Sequence, residues 1–590
     1  MTEASSIFKP PIVDKPGFTS HWGRLYGSSY GLAICNAARQ SQRPFVIITP
    51  DTQTAFRLEY ELRFYGAGSD TLPLLHFPDW ETLPYDTFSP HQDIISDRLL
   101  TLHQLPHMTQ GILVMPVSTV MQRLAPREFL EGNSLLIEAG QQLDIDSMRQ
   151  NLARSSYRFV SQVMEHGEFT VRGSIIDLFP MGSQVPYRIE LFDNEIDTIR
   201  TFDPENQRSL EQVKQVSLLP AREFPLTEQS IARFRQAHRA AFEGDPNSSI
   251  IYRDVSNAIA PAGIEYYLPL FFENTATVFD YLPENSVLCQ VNDAKHAAEN
   301  VWNEIEQRFE QRRYDLQRPI LPPQEVFLRT NELFQKFKQY ALVDIQSFKL
   351  ENKAGSYNFD CETPPLVNVD ARAARPADKL AKFVENFDGR ILFSAESTGR
   401  RETLIDLLNS NDIQVKPVEN WQAFLSSSEK LSITIAPLQH GLLLSDGSIA
   451  VIAESQIFGE QVLQRRRRKD RQRDPDLIIK NLVELEEGSP VVHEDHGVGR
   501  YVGLQKITVG EIEQEFLTLI YAGNDKLYVP VSSLHLISRY TGASPEAAPL
   551  HKLGSTQWEK AKRKARERAR DVAAELLDIY ARREARSGYS

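Results

Sequence analysis

Three groups of side chains have the types and spacing to do chemistry. Gly27-Ser28-Ser29-Tyr30-Gly31 fits GxSxG, the strand-turn-helix elbow that exposes a nucleophilic serine. An elbow needs several strands ahead of it to build its sheet, and only 28 residues precede Ser29. A tight glycine turn opening a helix over 31–40 is therefore the expectation, with a serine hydrolase using Ser29 as the alternative. His493-Glu494-Asp495-His496 places two imidazoles at i and i+3. Two such ligands without a third make a loop with solvated side chains the stronger reading, so no metal is expected. Arg465-Arg466-Arg467-Arg468-Lys469-Asp470-Arg471-Gln472-Arg473 sets seven cations in nine residues, a solvated linker or, in the competing reading, a patch for nucleic acid or an acidic partner.

One chemistry is excluded by a count. A P-loop motor needs GxxxxGK[ST], because backbone N–H groups and the lysine hold the phosphates while the hydroxyl ligates magnesium. None of the 29 glycines is followed by lysine, so no P-loop ATPase of that form operates within these residues. Cys35, Cys289 and Cys361 are odd in number and far apart, which excludes a disulfide framework and a CxxC zinc site and points to a reducing compartment. The net charge of −14 argues against a chain that coats DNA over its whole surface. Apolar runs such as 45–48 and 112–115 break at prolines well short of the roughly 20 residues of a membrane helix. Residues 1–11 have no export signal, so a cytoplasmic chain without membrane contact is expected.

The elements that would position these groups are those of a multidomain α/β and α+β protein. With 590 residues, 41% hydrophobic and 24% charged, the chain has globular composition and exceeds what one core organises. Residues 1–133 alternate helices with apolar strands at 45–48, 72–76 and 112–116, the pattern of βα units on a parallel sheet. Residues 134–220 switch to strands at 167–171, 175–179, 187–192 and 196–202 joined by short turns, an α+β insertion. Residues 221–357, with a long polar helix over 294–313, complete the first sheet. The stretch 351–376 has Asn, Gly and Pro with little periodicity and reads as a linker. A second, small α/β domain occupies 372–458, followed by a basic linker over 459–485. Strands at 490–493, 499–509, 515–521 and 526–529, with a hairpin at 522–525, make a small curled barrel over 486–546. Residues 556–583 lack Gly and Pro, which predicts one helix of about 28 residues and roughly 40 Å. Its first half is basic, and its second half carries the apolar face Val572, Leu576, Ile579 and Tyr580.

Two segments carry a specific resemblance. Gly167-Glu168-Phe169-Thr170-Val171-Arg172-Gly173-Ser174-Ile175-Ile176-Asp177-Leu178-Phe179-Pro180, continuing through Tyr187-Arg188-Ile189-Glu190-Leu191-Phe192-Asp193, resembles the part of the excision-repair protein UvrB that binds UvrA. Val491-Val492-His493-Glu494-Asp495-His496-Gly497-Val498-Gly499-Arg500-Tyr501, followed by Lys526-Leu527-Tyr528-Val529-Pro530-Val531, resembles the RNA-polymerase-interacting module of CarD-type regulators, an SH3/Tudor-like barrel. In this order, with Asp79-Trp80-Glu81-Thr82-Leu83-Pro84-Tyr85-Asp86 ahead of them, they resemble the bacterial transcription-repair coupling factors across essentially the whole chain.

The resemblance implies a scaffold for DNA repair coupled to transcription, linking stalled RNA polymerase, through its β subunit, to UvrA of nucleotide excision repair. It implies UvrA contacts at Arg172, Arg188 and Phe192, and polymerase contacts at Ile507, Leu504 and Val509. Where UvrB has its phosphate loop, Gly27 opens a degenerate nucleotide site with Ala33 at the lysine position and Ile34 at the hydroxyl position. No cofactor is expected in this chain and no enzymatic activity. ATP, magnesium, helicase-like translocation and the main contact with double-stranded DNA belong to the motor of a full-length parent, absent from what looks like an N-terminal fragment. UvrB's aromatic hairpin for damaged DNA is missing too, because Tyr85-Asp86-Thr87-Phe88-Ser89-Pro90 passes directly to a helix over 93–105. The remaining alternative is a DNA-binding transcription regulator built on the basic run and basic helix.

Overall fold

The structure, a computed structural model, describes residues 5–12, 15–67, 72–204, 206–369, 376–458, 488, 490–493, 496–509, 512–530, 537–539 and 550–552. The chain divides into two compact units, Met1–Leu463 and Gln464–Ser590. Among the described residues no helix is long and apolar enough to cross a membrane.

Seven parallel strands form the first sheet, in the order Ser356–Asn358, Thr19–Gly23, Ala341–Ile345, Val287–Val291, Pro44–Thr49, Gly111–Pro116, Leu74–His76. The runs PFVIIT and GILVMP are buried at every position, as strands covered on both faces must be. The strands at Val287–Val291 and Ala341–Ile345 complete the sheet after the insertion, as the change of pattern beyond residue 220 suggests. Thr19–Gly23 and Ser356–Asn358 are short and polar; they gain strand pairing only from their neighbours.

The insertion is a six-stranded meander in chain order: Arg158–Phe159, Glu168–Arg172, Ile175–Phe179, Tyr187–Phe192, Glu195–Phe202 and Ser209–Val213. It is antiparallel from Glu168 onward and parallel only at its first pair. Phe169, Ile176, Leu178, Ile189, Leu191, Ile196 and Ile199 point inward and share one continuous core with Val46, Phe77 and Leu113 of the first domain. Strand alternation sends the intervening residues to the opposite face.

The stretch 351–376 is not a free linker. It supplies the edge strand Ser356–Asn358 to the first sheet and Cys361–Glu362 to the second, with Phe359 fully buried between them. Low periodicity misled here because edge strands this short carry no pattern of their own. The second sheet has the order Cys361–Glu362, Leu442–Leu444, Ile449–Ala453, Arg390–Ala395, Leu431–Ile435, Lys416–Pro417, parallel through its last four strands. Trp421 beside it is fully buried, and its ring centroid lies 5.1 Å from Tyr65 and 6.1 Å from Phe64. One core therefore joins the two α/β sheets.

The second unit shows a five-stranded antiparallel sheet ordered Lys526–Pro530, Ile512–Ile520, Gly497–Val509, Pro490–His493, Ile537–Arg539. Leu517, Leu519 and Tyr521 share its buried face with Val491, Tyr501 and Val529. Positive φ at the consecutive Gly523 and Asn524 gives the hairpin turn the hand that matches strand twist. The basic run 465–473 and the helix expected over 556–583 lie outside the described residues.

Candidate functional site

The turn at Gly27 opens the helix Ser29–Ser41, and the backbone at Gly441 closes over it. Gly27 has φ +57°, and a Cβ there would stand 2.2 Å from the Gly441 carbonyl oxygen. That carbonyl accepts the Ser28 N–H at 2.9 Å, so the backbone of the second α/β domain takes up this helix N-terminal donor. Ser28 Oγ and the Tyr65 hydroxyl lie 2.8 Å apart beneath it. Ala33 and Ile34 are fully buried inside the helix, contributing packing and no polar atom. Glu61 lies against Gly31, where an added Cβ would come within 2.6 Å of Glu61 Cβ. Burial pushes its carboxyl up to about 7, opposed by Arg57 at 3.7 Å and by the Gly31 N–H. Ser29 is fully buried in the first helical turn. The serine-hydrolase alternative fails on this point, because an elbow must present its Oγ to substrate.

Of the motif 493–496, the two histidines are described. His493 ends the strand Pro490–His493 and is buried, not solvated as the sequence suggests, with its ring 4.7 Å from that of His496. Among the described residues there is no cluster of three or more His, Cys, Asp or Glu that could hold an ion.

The outer face of the six-stranded sheet places Arg172 on one side of the strand Ile175–Phe179 and Arg188 and Phe192 on the other. Arg172 ends Glu168–Arg172 with its side chain 55% exposed, while Arg188 is only 15% exposed. Both reach the same carboxylate, Asp177, whose side chain is wholly buried. Arg188 holds it by a fork, Nε donating to Oδ1 at 2.7 Å and Nη2 to Oδ2 at 3.0 Å, and Arg172 donates to Oδ2 from the other side. The hydrogen bond to Asp177 holds the Arg188 guanidinium above its ordinary value. Arg188 Nη1 reaches Gln207 O and Ser209 Oγ, both at 3.3 Å, and the guanidinium lies 5.0 Å over Phe202. Phe192 is 75% exposed at the tip of its hairpin. Arg188 is thus no solvated charge and Phe192 no core residue. Asp177 is the residue that sequence reasoning missed; its signal was a lone acid in the apolar strand IIDLF.

Leu504, Ile507 and Val509 lie on the long strand Gly497–Val509. Their backbones pair with Leu517, Gln514 and Ile512 respectively. On its other edge this strand is covered by Pro490–His493 only from Gly497 to Arg500. Among the described residues, the edge from Leu504 to Val509 has no second neighbour.

Asp79–Asp86 proves to be a brace. Trp80 Nε1 donates to Glu223 Oε2 at 2.9 Å, and Glu223 Oε1 accepts from Arg98 Nε at 2.8 Å, all three side chains buried. Asp79 accepts from Ser118 and from Gln122 Nε2, the latter at 3.2 Å, and Arg308 Nε donates to Pro84 O at 2.7 Å. Glu223 lies just past the insertion, so this network ties the returning chain to the helix Gln92–Gln104.

The fold defines a multidomain chain of α/β and α+β units, with a backbone-filled turn at Gly27 and an arginine clamp on the outer face of the six-stranded sheet. Comparison with known proteins finds three matching segments. Residues 135–224 match the UvrB interaction domain, residues 383–457 the MFD D3 domain, and residues 485–541 the CarD-like/TRCF RID domain. A transcription-repair-coupling factor of Haemophilus influenzae is 43% identical over 590 residues, 99% of this chain and 51% of that protein. The Escherichia coli K12 factor is 46% identical over 569 residues, 96% of this chain and 49% of that protein. The Bacillus subtilis factor is 27% identical over 591 residues, again 96% and 49%. The 590 residues are similar to these transcription-repair-coupling factors and span about half the length of these curated relatives.

Proposed function

We propose that the chain is the recognition half of a transcription-repair coupling factor: an adaptor, located in the cytoplasm, that binds stalled RNA polymerase and recruits UvrA. The Arg172–Asp177–Arg188 clamp beside the exposed Phe192, in the segment matching the UvrB interaction domain, carries the reading. Arginine with an aromatic is the usual composition of an interface anchor, each worth about 2 kcal/mol or more when central. Arg172→Ala and Phe192→Ala are each expected to weaken UvrA binding about thirty-fold in a titration followed by calorimetry. Unchanged affinity in both variants would sink the assignment.

The polymerase contact is assigned to the second unit, whose sheet we read as an SH3/Tudor-like barrel. The edge from Leu504 to Val509 can accept a strand of the β subunit, main-chain hydrogen bonds giving affinity and Ile507 filling a pocket. The motor that the resemblance implies, with its ATP, magnesium and grip on duplex DNA, is proposed for the whole protein and not for these 590 residues. The cradle at Gly27 itself takes no nucleotide, a reading supported by the Gly441 carbonyl on Ser28 N–H and by Ala33 at the lysine position. A ligand bound only to the folded state at 100 times its dissociation constant would add about 2.7 kcal/mol. Magnesium-ATP is expected to leave the melting midpoint of this chain unmoved, and an upward shift of several degrees would refute that expectation.

A further inference from the structure

We propose that Asp177 is the positioning residue of the UvrA surface: it touches no partner itself, and it fixes the Arg172 guanidinium at the place from which Arg172 meets UvrA. The inference rests on the reading of that surface given above. Asp177 sits mid-strand in Ile175–Phe179, where its neighbours Ile176 and Leu178 point into the core. Its Cα partners across the sheet are Thr170 and Arg188. Both carboxylate oxygens are consumed, Oδ1 by Arg188 and Oδ2 by Arg188 and Arg172 together, which with complete burial leaves Asp177 no atom to offer a partner. Arg188 is spent in the same way, its fork on Asp177 and its remaining Nη1 on Gln207 O and Ser209 Oγ. It acts as a brace from behind.

Only Arg172 leaves the group toward solvent, tethered through one Nη. An untethered arginine at a strand end would sample many rotamers and lose that freedom on binding, which costs affinity. The carboxylate removes the cost in advance, and it also screens two guanidiniums that would otherwise repel from the strands on either side of it. Asparagine at 177 keeps the shape but turns an amide donor toward one of these cations.

A double-mutant cycle in the 590-residue chain tests the assignment, with UvrA affinity and thermal unfolding measured for Arg172→Ala, Asp177→Asn and the pair. Arg172→Ala should weaken binding about thirty-fold and Asp177→Asn about ten-fold. The double variant should match Arg172→Ala within about two-fold, since a residue that acts only through Arg172 has nothing left to act on. A merely structural aspartate would lower the melt and add its loss of affinity to that of Arg172→Ala. Additive losses, or an Asp177→Asn chain that binds like the parent while Arg172→Ala does not, overturn the positioning role and leave the UvrA surface standing. If Arg172→Ala binds like the parent, the surface itself is misassigned. Should Asp177→Asn not fold, Arg188→Gln takes its place in the cycle, because it removes the brace and keeps the carboxylate. The same absence of additivity is then expected, and additivity overturns the role.

Discussion

Glu223→Ala is expected to destabilise the first unit by about 3–5 kcal/mol, the cost of stranding a buried charge. Arg98 has no exposed surface, and Glu223 is the carboxylate that answers its Nε at 2.8 Å. The guanidinium is also hemmed by Phe77 and Trp80, at 4.5 and 5.1 Å from the ring centroids, which leaves no route to water without repacking. The substitution orphans the Trp80 indole N–H as well. Tryptophan fluorescence melts of the full chain should show the midpoint of the first unit fall by several degrees. Replacing both members, Arg98→Met with Glu223→Leu, should recover most of the loss, since a hydrophobic pair of similar volume often matches a buried ion pair. A Glu223→Ala chain melting with the parent would show that the network is not what holds the insertion to the helix Gln92–Gln104.

Ile507→Arg should reduce binding to the polymerase β subunit by at least about thirty-fold, the loss of a central anchor. The strand Gly497–Val509 is satisfied by Ile512–Ile520 on one edge, so strand addition on the other gives affinity through the backbone and specificity through alternate side chains. A guanidinium forced into an apolar pocket adds a desolvation penalty. If Ile507 instead belonged to the core of its own sheet, the variant would unfold it. Hydrogen exchange across Ile512–Ile520 separates the cases: protection as in the parent with binding lost supports docking. Lost protection, or binding retained, contradicts it.

The chain's strands were legible wherever burial is written into the sequence as uninterrupted apolar runs, as in Pro44–Thr49 and Gly111–Pro116. The outward face of Tyr187–Phe192 was legible too, because Ile189 and Leu191 alternate with Arg188, Glu190 and Phe192. Tertiary pairing was not. Ser356–Asn358 is a strand only because Thr19–Gly23, itself paired to Ala341–Ile345, accepts it at the sheet edge, and the reading of 351–376 as a linker failed for that reason. Asp177 could be seen as an acid in an apolar strand, but its clamp depends on hairpin register bringing residues 172 and 188 to one carboxylate. The turn at Gly27 was half visible: its glycine and the helix after it are written locally, whereas the Gly441 carbonyl that closes it comes from more than 400 residues away and has no local signature.

The central claim is that one chain holds UvrA and RNA polymerase through separate surfaces, and simultaneous binding tests it most directly. The 590-residue chain should carry UvrA and polymerase core together in one complex on size-exclusion chromatography, with Arg172→Ala removing UvrA alone and Ile507→Arg removing polymerase alone. Failure of the parent chain to join both proteins, or loss of both partners from either single substitution in a folded chain, would contradict it.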